Sequence, residues 1–138
     1  MRERFYDDGV IYWPGALTNE SLQLAREAYQ WSLDHPGPGG GDIRSKNPGT
    51  FYQDLTNPEA FFVYKTLTRH LDIVAINREF FSCDHAWFMY EQAFKKIWRG
   101  HKLNSLASGC CLPARGHDFA VLWISSDSLD EERALAFR

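Results

Sequence analysis

The chain has 138 residues, 44% of them hydrophobic and 15% aromatic, and a net charge of −3 at pH 7. That length sets one domain as the expectation, and that apolar content is enough for a core, which excludes a globally disordered chain. A small negative charge with no basic stripe excludes nucleic acid as the expected partner, and no apolar run approaches the ~20 residues of a membrane span.

The N-terminus, M-R-E-R-F-Y-D-D-G, is charged and lacks the apolar stretch of a signal peptide. A cytoplasmic location is therefore expected. Residues Gly9–Trp13 are rich in β-branched and aromatic side chains and predict a short strand, closed by the Pro14-Gly15 turn. A helix follows, capped near Thr18 or Asn19. Leu22, Ala25, Tyr29 and Ser32 or Leu33 recur at helical spacing, and the helix stops before His35-Pro36 because proline pushes its predecessor out of the helical region. Asn19-Glu20-Ser21 matches a glycosylation sequon but is read as part of this helix start.

The stretch from Pro36 to Gly49 is glycine-rich and predicts a mobile loop. It carries neither of the familiar phosphate-cradling patterns, and its glycines follow a helix rather than precede one. Asn57-Pro58-Glu59 then predicts a helix start, with a capping asparagine, proline at the first helical position and an acidic first turn. The helical region runs to Phe81, carrying Phe61, Phe62, Tyr64, Leu67 and Leu71 and then Ile73, Val74, Ile76 and Phe80. These apolar side chains are read as core packing. Trp87–Phe94 predicts a strand. Phe119–Ser125 predicts another, nearly continuous in apolar residues and so expected to be covered on both faces.

Three cysteines, Cys83, Cys110 and Cys111, are too few and too oddly placed for a disulfide framework. Cys83-Asp84-His85 matches no standard zinc spacing and is read as a turn leading into the strand at Trp87. A hydrolase using Cys83 or Ser108 as nucleophile would need an oriented base, and the sequence offers none.

Four segments carry a resemblance. W-F-M-Y-E-Q-A-F-K-K begins at Trp87, and C-L-P-A-R-G-H-D-F-A-V-L-W-I ends at Ile124. F-Y-D-D-G-V-I-Y-W-P-G-A-L-T opens at Phe5, and G-T-F-Y-Q-D-L opens at Gly49. In order and spacing they resemble the phytanoyl-CoA dioxygenase family, whose members use Fe(II) and 2-oxoglutarate. The resemblance implies an α+β fold: N-terminal helices packed on a partial double-stranded β-helix, or jelly roll, in a single and incomplete domain over 1–138. It also implies a chemistry in which two histidines and a carboxylate hold Fe(II) and leave positions open for 2-oxoglutarate and oxygen. The organic substrate would be hydroxylated at an unactivated C–H bond. Its identity is set by loops that differ widely on one fold.

Few of the family's functional residues transfer. The family places a His-x-Asp metal motif, commonly within Pro-Trp-His-Gln-Asp, between the two strands. Leu106, Ala107 and Ser108 occupy those positions here, and neither Leu106 nor Ser108 is an iron ligand. The remaining histidine and the arginine that clamps 2-oxoglutarate would come from strands beyond Arg138. His101, His117 and Asp118 do not substitute: His117 and Asp118 are adjacent and would point to opposite faces of a strand. All three are read as solvent-facing. Two positions survive as cosubstrate-binding candidates by resemblance, Gln92 as a side-chain contact to 2-oxoglutarate and Trp123 as an indole lining the cosubstrate pocket.

The expectation is thus a truncated family member, inactive as written, that takes up neither Fe(II) nor 2-oxoglutarate catalytically. The alternative is a non-catalytic module on the same scaffold that binds a small molecule or a protein. Unpaired strand edges predict self-association or aggregation. The genetic code also permits a re-reading. Ser105–Cys110 can be encoded TCC CTG GCA TCA GGA TGT, and dropping the first base gives CCC TGG CAT CAG GAT, which spells Pro-Trp-His-Gln-Asp.

Overall fold

The computed structural model describes residues 2–42, 51–96, 106–107, 119–126 and 136–137. The chain divides into two compact units, Met1–Ile97 and Trp98–Arg138.

The first unit opens with a helix that the sequence reading did not anticipate, α1 (Arg2–Asp8). It ends at Gly9, whose φ of +72° suits a residue without Cβ and whose N–H donates to the Phe5 carbonyl at 2.9 Å. The predicted strand at Gly9–Trp13 does not form. Ile11 and Trp13 are half-buried while Val10 and Tyr12 are exposed, so the two-residue period is there. Among the described residues no strand pairs with this stretch. Instead Trp13 and Phe5 both pack on Phe80, with ring centroids 5.8 and 4.9 Å away.

Helix α2 (Asn19–Asp34) matches the prediction at both ends. Thr18 is extended and its side chain accepts from the Ser21 N–H at 3.3 Å. At the other end the His35 ring stacks on Trp31, and Pro36 follows. The most buried residues of α2 are Ser21, Ala28 and Ser32 rather than its leucines. Small side chains let the backbone of α2 approach α3, against which it packs.

Strand β2 (Phe51–Leu55) is the centre of a three-stranded antiparallel sheet, between β1 (Gly41–Asp42) and β3 (Gln92–Lys96). Gly41 pairs with Gln53. Along the other edge Phe51 pairs with Lys96 and Leu55 with Gln92. Only the last part of the predicted strand at Trp87–Phe94 joins this ladder. Residues 87–91 are irregular, and Trp87 is 91% exposed.

Between β2 and β3 come α3 (Phe61–Thr68) and α4 (Leu71–Phe81). Asn57 does cap a turn, its Oδ1 accepting from the Glu59 N–H at 3.1 Å, but regular helix begins only at Phe61. Leu67, Ile73, Ile76 and Phe80 are buried as expected. Phe61, Phe62 and Leu71 are not: they are 50%, 77% and 80% exposed, so part of the expected core stripe faces outward.

In the second unit β4 (Leu106–Ala107) and β5 (Ala136–Phe137) pair in parallel. Residues 119–126 form no strand, and Phe119, Val121, Leu122 and Trp123 are between 43% and 55% exposed, against the expectation of a strand covered on both faces. The architecture is mixed α and β. Among the described residues no helix is long and apolar enough to cross a membrane.

Candidate functional site

Gln92 is the first residue of β3 and is half-buried. Alternation along paired strands sorts its neighbours onto two faces. Tyr52, Asp54, Glu91 and Ala93 share one face. Phe51, Gln53, Leu55, Gln92 and Phe94 share the other. The two faces differ in kind.

The first face lies against the helices and the turn that follows α2. Asp54 is 1% exposed: its Oδ2 accepts from the Gly37 N–H at 2.9 Å and its Oδ1 from the Leu55 N–H at 2.9 Å. Glu91 is 8% exposed, and its Oε1 accepts from the Asn57 N–H at 2.7 Å. Asn57 in turn donates through Nδ2 to the His35 carbonyl. Backbone N–H groups occupy both oxygens of Asp54 and one of Glu91, so the two carboxylates hold the chain in place. Two phenols complete the layer. Burial pushes the Tyr64 hydroxyl above its ordinary pKa; its contact with Ser32 Oγ at 3.2 Å opposes that shift, and the charges of Glu91 and Asp54 add to it. Tyr52 is raised too, by burial and then by Asp54. Both stay protonated at neutral pH.

The second face carries Gln92 among half-buried apolar groups. Phe51 and Phe94 meet there with centroids 5.6 Å apart. The Tyr29 hydroxyl of α2 donates to the Phe94 carbonyl at 2.9 Å, anchoring β3 through its backbone. Gln92 therefore stands on a firmly held strand, on the face away from the carboxylate layer.

Trp123, the other candidate, belongs to the second unit and is 43% exposed. Gln92 belongs to the first unit, so each of the two candidates is described within its own unit. Of the positions where the family carries its metal motif, Leu106 and Ala107 form β4, while Ser108 lies outside the described residues. His101, His117, Asp118, Cys110 and Cys111 also lie outside them, as does the second half of the predicted loop between Pro36 and Gly49. Cys83 Sγ donates to the His85 carbonyl at 2.9 Å across a bend at Asp84, which leads into the irregular stretch at Trp87 rather than into the expected strand. Among the described residues no three His, Cys, Asp or Glu side chains converge as a metal site would need.

Sequence reasoning passed over Asp54 and Glu91. The available signal was an acid embedded among aromatic strand residues, in F-Y-Q-D-L and Y-E-Q-A-F. It also passed over Asp72, whose Oδ2 accepts from Ser21 Oγ at 2.6 Å, Thr18 N at 2.7 Å and Thr18 Oγ1 at 2.8 Å. Those bonds, led by Ser21, pull the Asp72 carboxyl down to about 2. No family model, curated protein or solved structure matches this chain.

Proposed function

We propose that the chain is a relative of the Fe(II)/2-oxoglutarate-dependent phytanoyl-CoA dioxygenases that has lost the metal motif and does not hydroxylate a substrate. The observation that carries this reading is the face on which Gln92 stands. In a jelly roll flanked by helices, one sheet face receives the helices and the other lines the interior. Gln92, Phe51 and Phe94 share the face opposite Asp54 and Glu91, as a cosubstrate-contacting glutamine would require. The helices preceding this sheet, and the segments quoted above, support the same descent. Whether the sheet belongs to a jelly roll is part of the proposal.

The metal does not fit the residues present. Leu106 and Ser108 offer neither the imidazole nitrogen nor the carboxylate that a two-histidine, one-carboxylate iron site uses. No catalytic step is therefore assigned. The test is an anaerobic titration of the purified protein with Fe(II) in the presence of 2-oxoglutarate. The expected outcome is no visible charge-transfer band and no turnover of 2-oxoglutarate once oxygen is admitted. A band that saturates at one iron per chain would overturn the proposal. The second reading, a binding module without catalysis, draws on the exposed Phe61, Phe62, Trp87 and Met89. An apolar surface of this kind suits association with another protein or with itself.

A further inference from the structure

We infer that His70 is a protonation-operated latch between α2 and α4: the bare Nδ1 of its neutral imidazole caps α4, and the protonated Nδ1 of its imidazolium turns instead to the Asp72 carboxylate. His70 sits at the break between α3 and α4, with ψ of 144°, and is the N-cap of α4. Its Nδ1 accepts from the Asp72 N–H at 3.3 Å. A ring nitrogen accepts only through its lone pair, so this bond exists only while Nδ1 carries no proton. The other ring nitrogen, Nε2, lies 3.8 Å from Glu20 Oε2 on α2. Protonation places a hydrogen on Nδ1. The cap bond is lost, and the new donor faces Asp72 Oδ2, 3.7 Å away.

That oxygen already has an occupation. It accepts from Thr18 and Ser21, and so closes the N-terminus of α2. An imidazolium competing for it loosens the start of α2 while uncapping the start of α4. Both helix starts thus answer to one proton. Asp72 stays ionised throughout, because its partners hold its carboxyl far below the range where imidazole titrates. The charged groups around the ring are Glu20 from α2, Asp72 from α4, and Lys65 and Arg69 at the end of α3, which line the same open groove as His70. The latch is independent of any iron chemistry.

The experiment follows ¹H–¹⁵N spectra of the full chain from about pH 8 to about pH 5, the span in which imidazole changes charge. The Thr18 and Asp72 amide signals should move together, with one midpoint that the His70 ring protons share. His70→Asn keeps an accepting oxygen at the cap but does not titrate, so it should abolish the shared midpoint. Amides that stay still while the His70 ring titrates would overturn the latch. So would a midpoint that persists in H70N, which would assign the movement to another group.

Discussion

Asp72 is the side chain whose environment departs most clearly from that of a free carboxylate. Three donors converge on one oxygen, and its pKa falls to about 2 from the ordinary 3.8. A lowered carboxyl pKa stabilises the fold above the ordinary value, and that contribution disappears as pH falls through the folded value. Asp72→Asn should therefore melt below wild type at about pH 5, and the gap should close as pH approaches 2, in thermal melts followed by circular dichroism. Gly39 makes a second residue-scale case. A Cβ there would sit 2.7 Å from the Leu55 carbonyl oxygen, a backbone atom that cannot swing aside, whereas at Gly41 nothing lies within 4 Å. Gly39→Ala should cost about 1–3 kcal/mol in urea denaturation, the range of other overpacked sites. Gly41→Ala should stay within about 0.5 kcal/mol of wild type. The sequence marked this stretch as glycine-rich without showing which glycine meets backbone, because the obstacle lies in β2, well separated in sequence.

At the scale of elements, what was legible depended on whether the signal was local. The span of α2 was legible because Thr18 and Pro36 act within a turn of the helix they bound. The break between α3 and α4 was less so, since His70 caps through a ring nitrogen that no ordinary capping pattern includes. Strands fared worse. Gly9–Trp13 alternates like a strand but has no described partner, and F-Y-Q-D-L, read only for its resemblance, is the centre of the sheet. Strand identity rests on pairing, which a one-dimensional pattern does not contain. The turn from β2 into α3 depends on Glu91, which belongs to the segment entering β3. Its carboxylate takes the Asn57 N–H and its carbonyl takes the Thr56 N–H, while Thr56 holds a φ of +58°. Glu91→Ala would leave the buried Asn57 N–H without an acceptor and should cost about 1–3 kcal/mol by urea denaturation. Glu91→Gln keeps an accepting oxygen and should recover most of that loss.

For the whole molecule, the mixed α and β class was legible and the arrangement within it was not. The α+β expectation came with the resemblance, and the four helices and the three-stranded antiparallel sheet agree with it at that coarse level. Gln92 took its place on a sheet by its neighbours in Y-E-Q-A-F. The apolar run around Trp123, expected to be a covered strand, is open to solvent. The proposed descent would require the loss of a metal motif, and the genetic code supplies a test of how it was lost. Family-like residues in the written frame reach Phe94 on one side and resume at Leu112 on the other. Between them, Ser105–Cys110 can be encoded so that a shift of one base yields Pro-Trp-His-Gln-Asp at the place the family puts it. Five consecutive target residues constrain six written ones, and the position was set by the flanking segments, which limits coincidence without abolishing it. Two compensating frame changes are therefore proposed, one between Lys95 and Ser105 and one between Gly109 and Leu112. Ordinary divergence would instead leave codons unrelated to the motif. Sequencing the gene from codon 94 to codon 112 decides between them. The expected result is a run from Ser105 to Cys110 that reads as Pro-Trp-His-Gln-Asp one base over. Any codon in that run that breaks the shifted reading ends the frame-change account and, under the proposed descent, leaves substitution as the route by which a metal motif would have been lost.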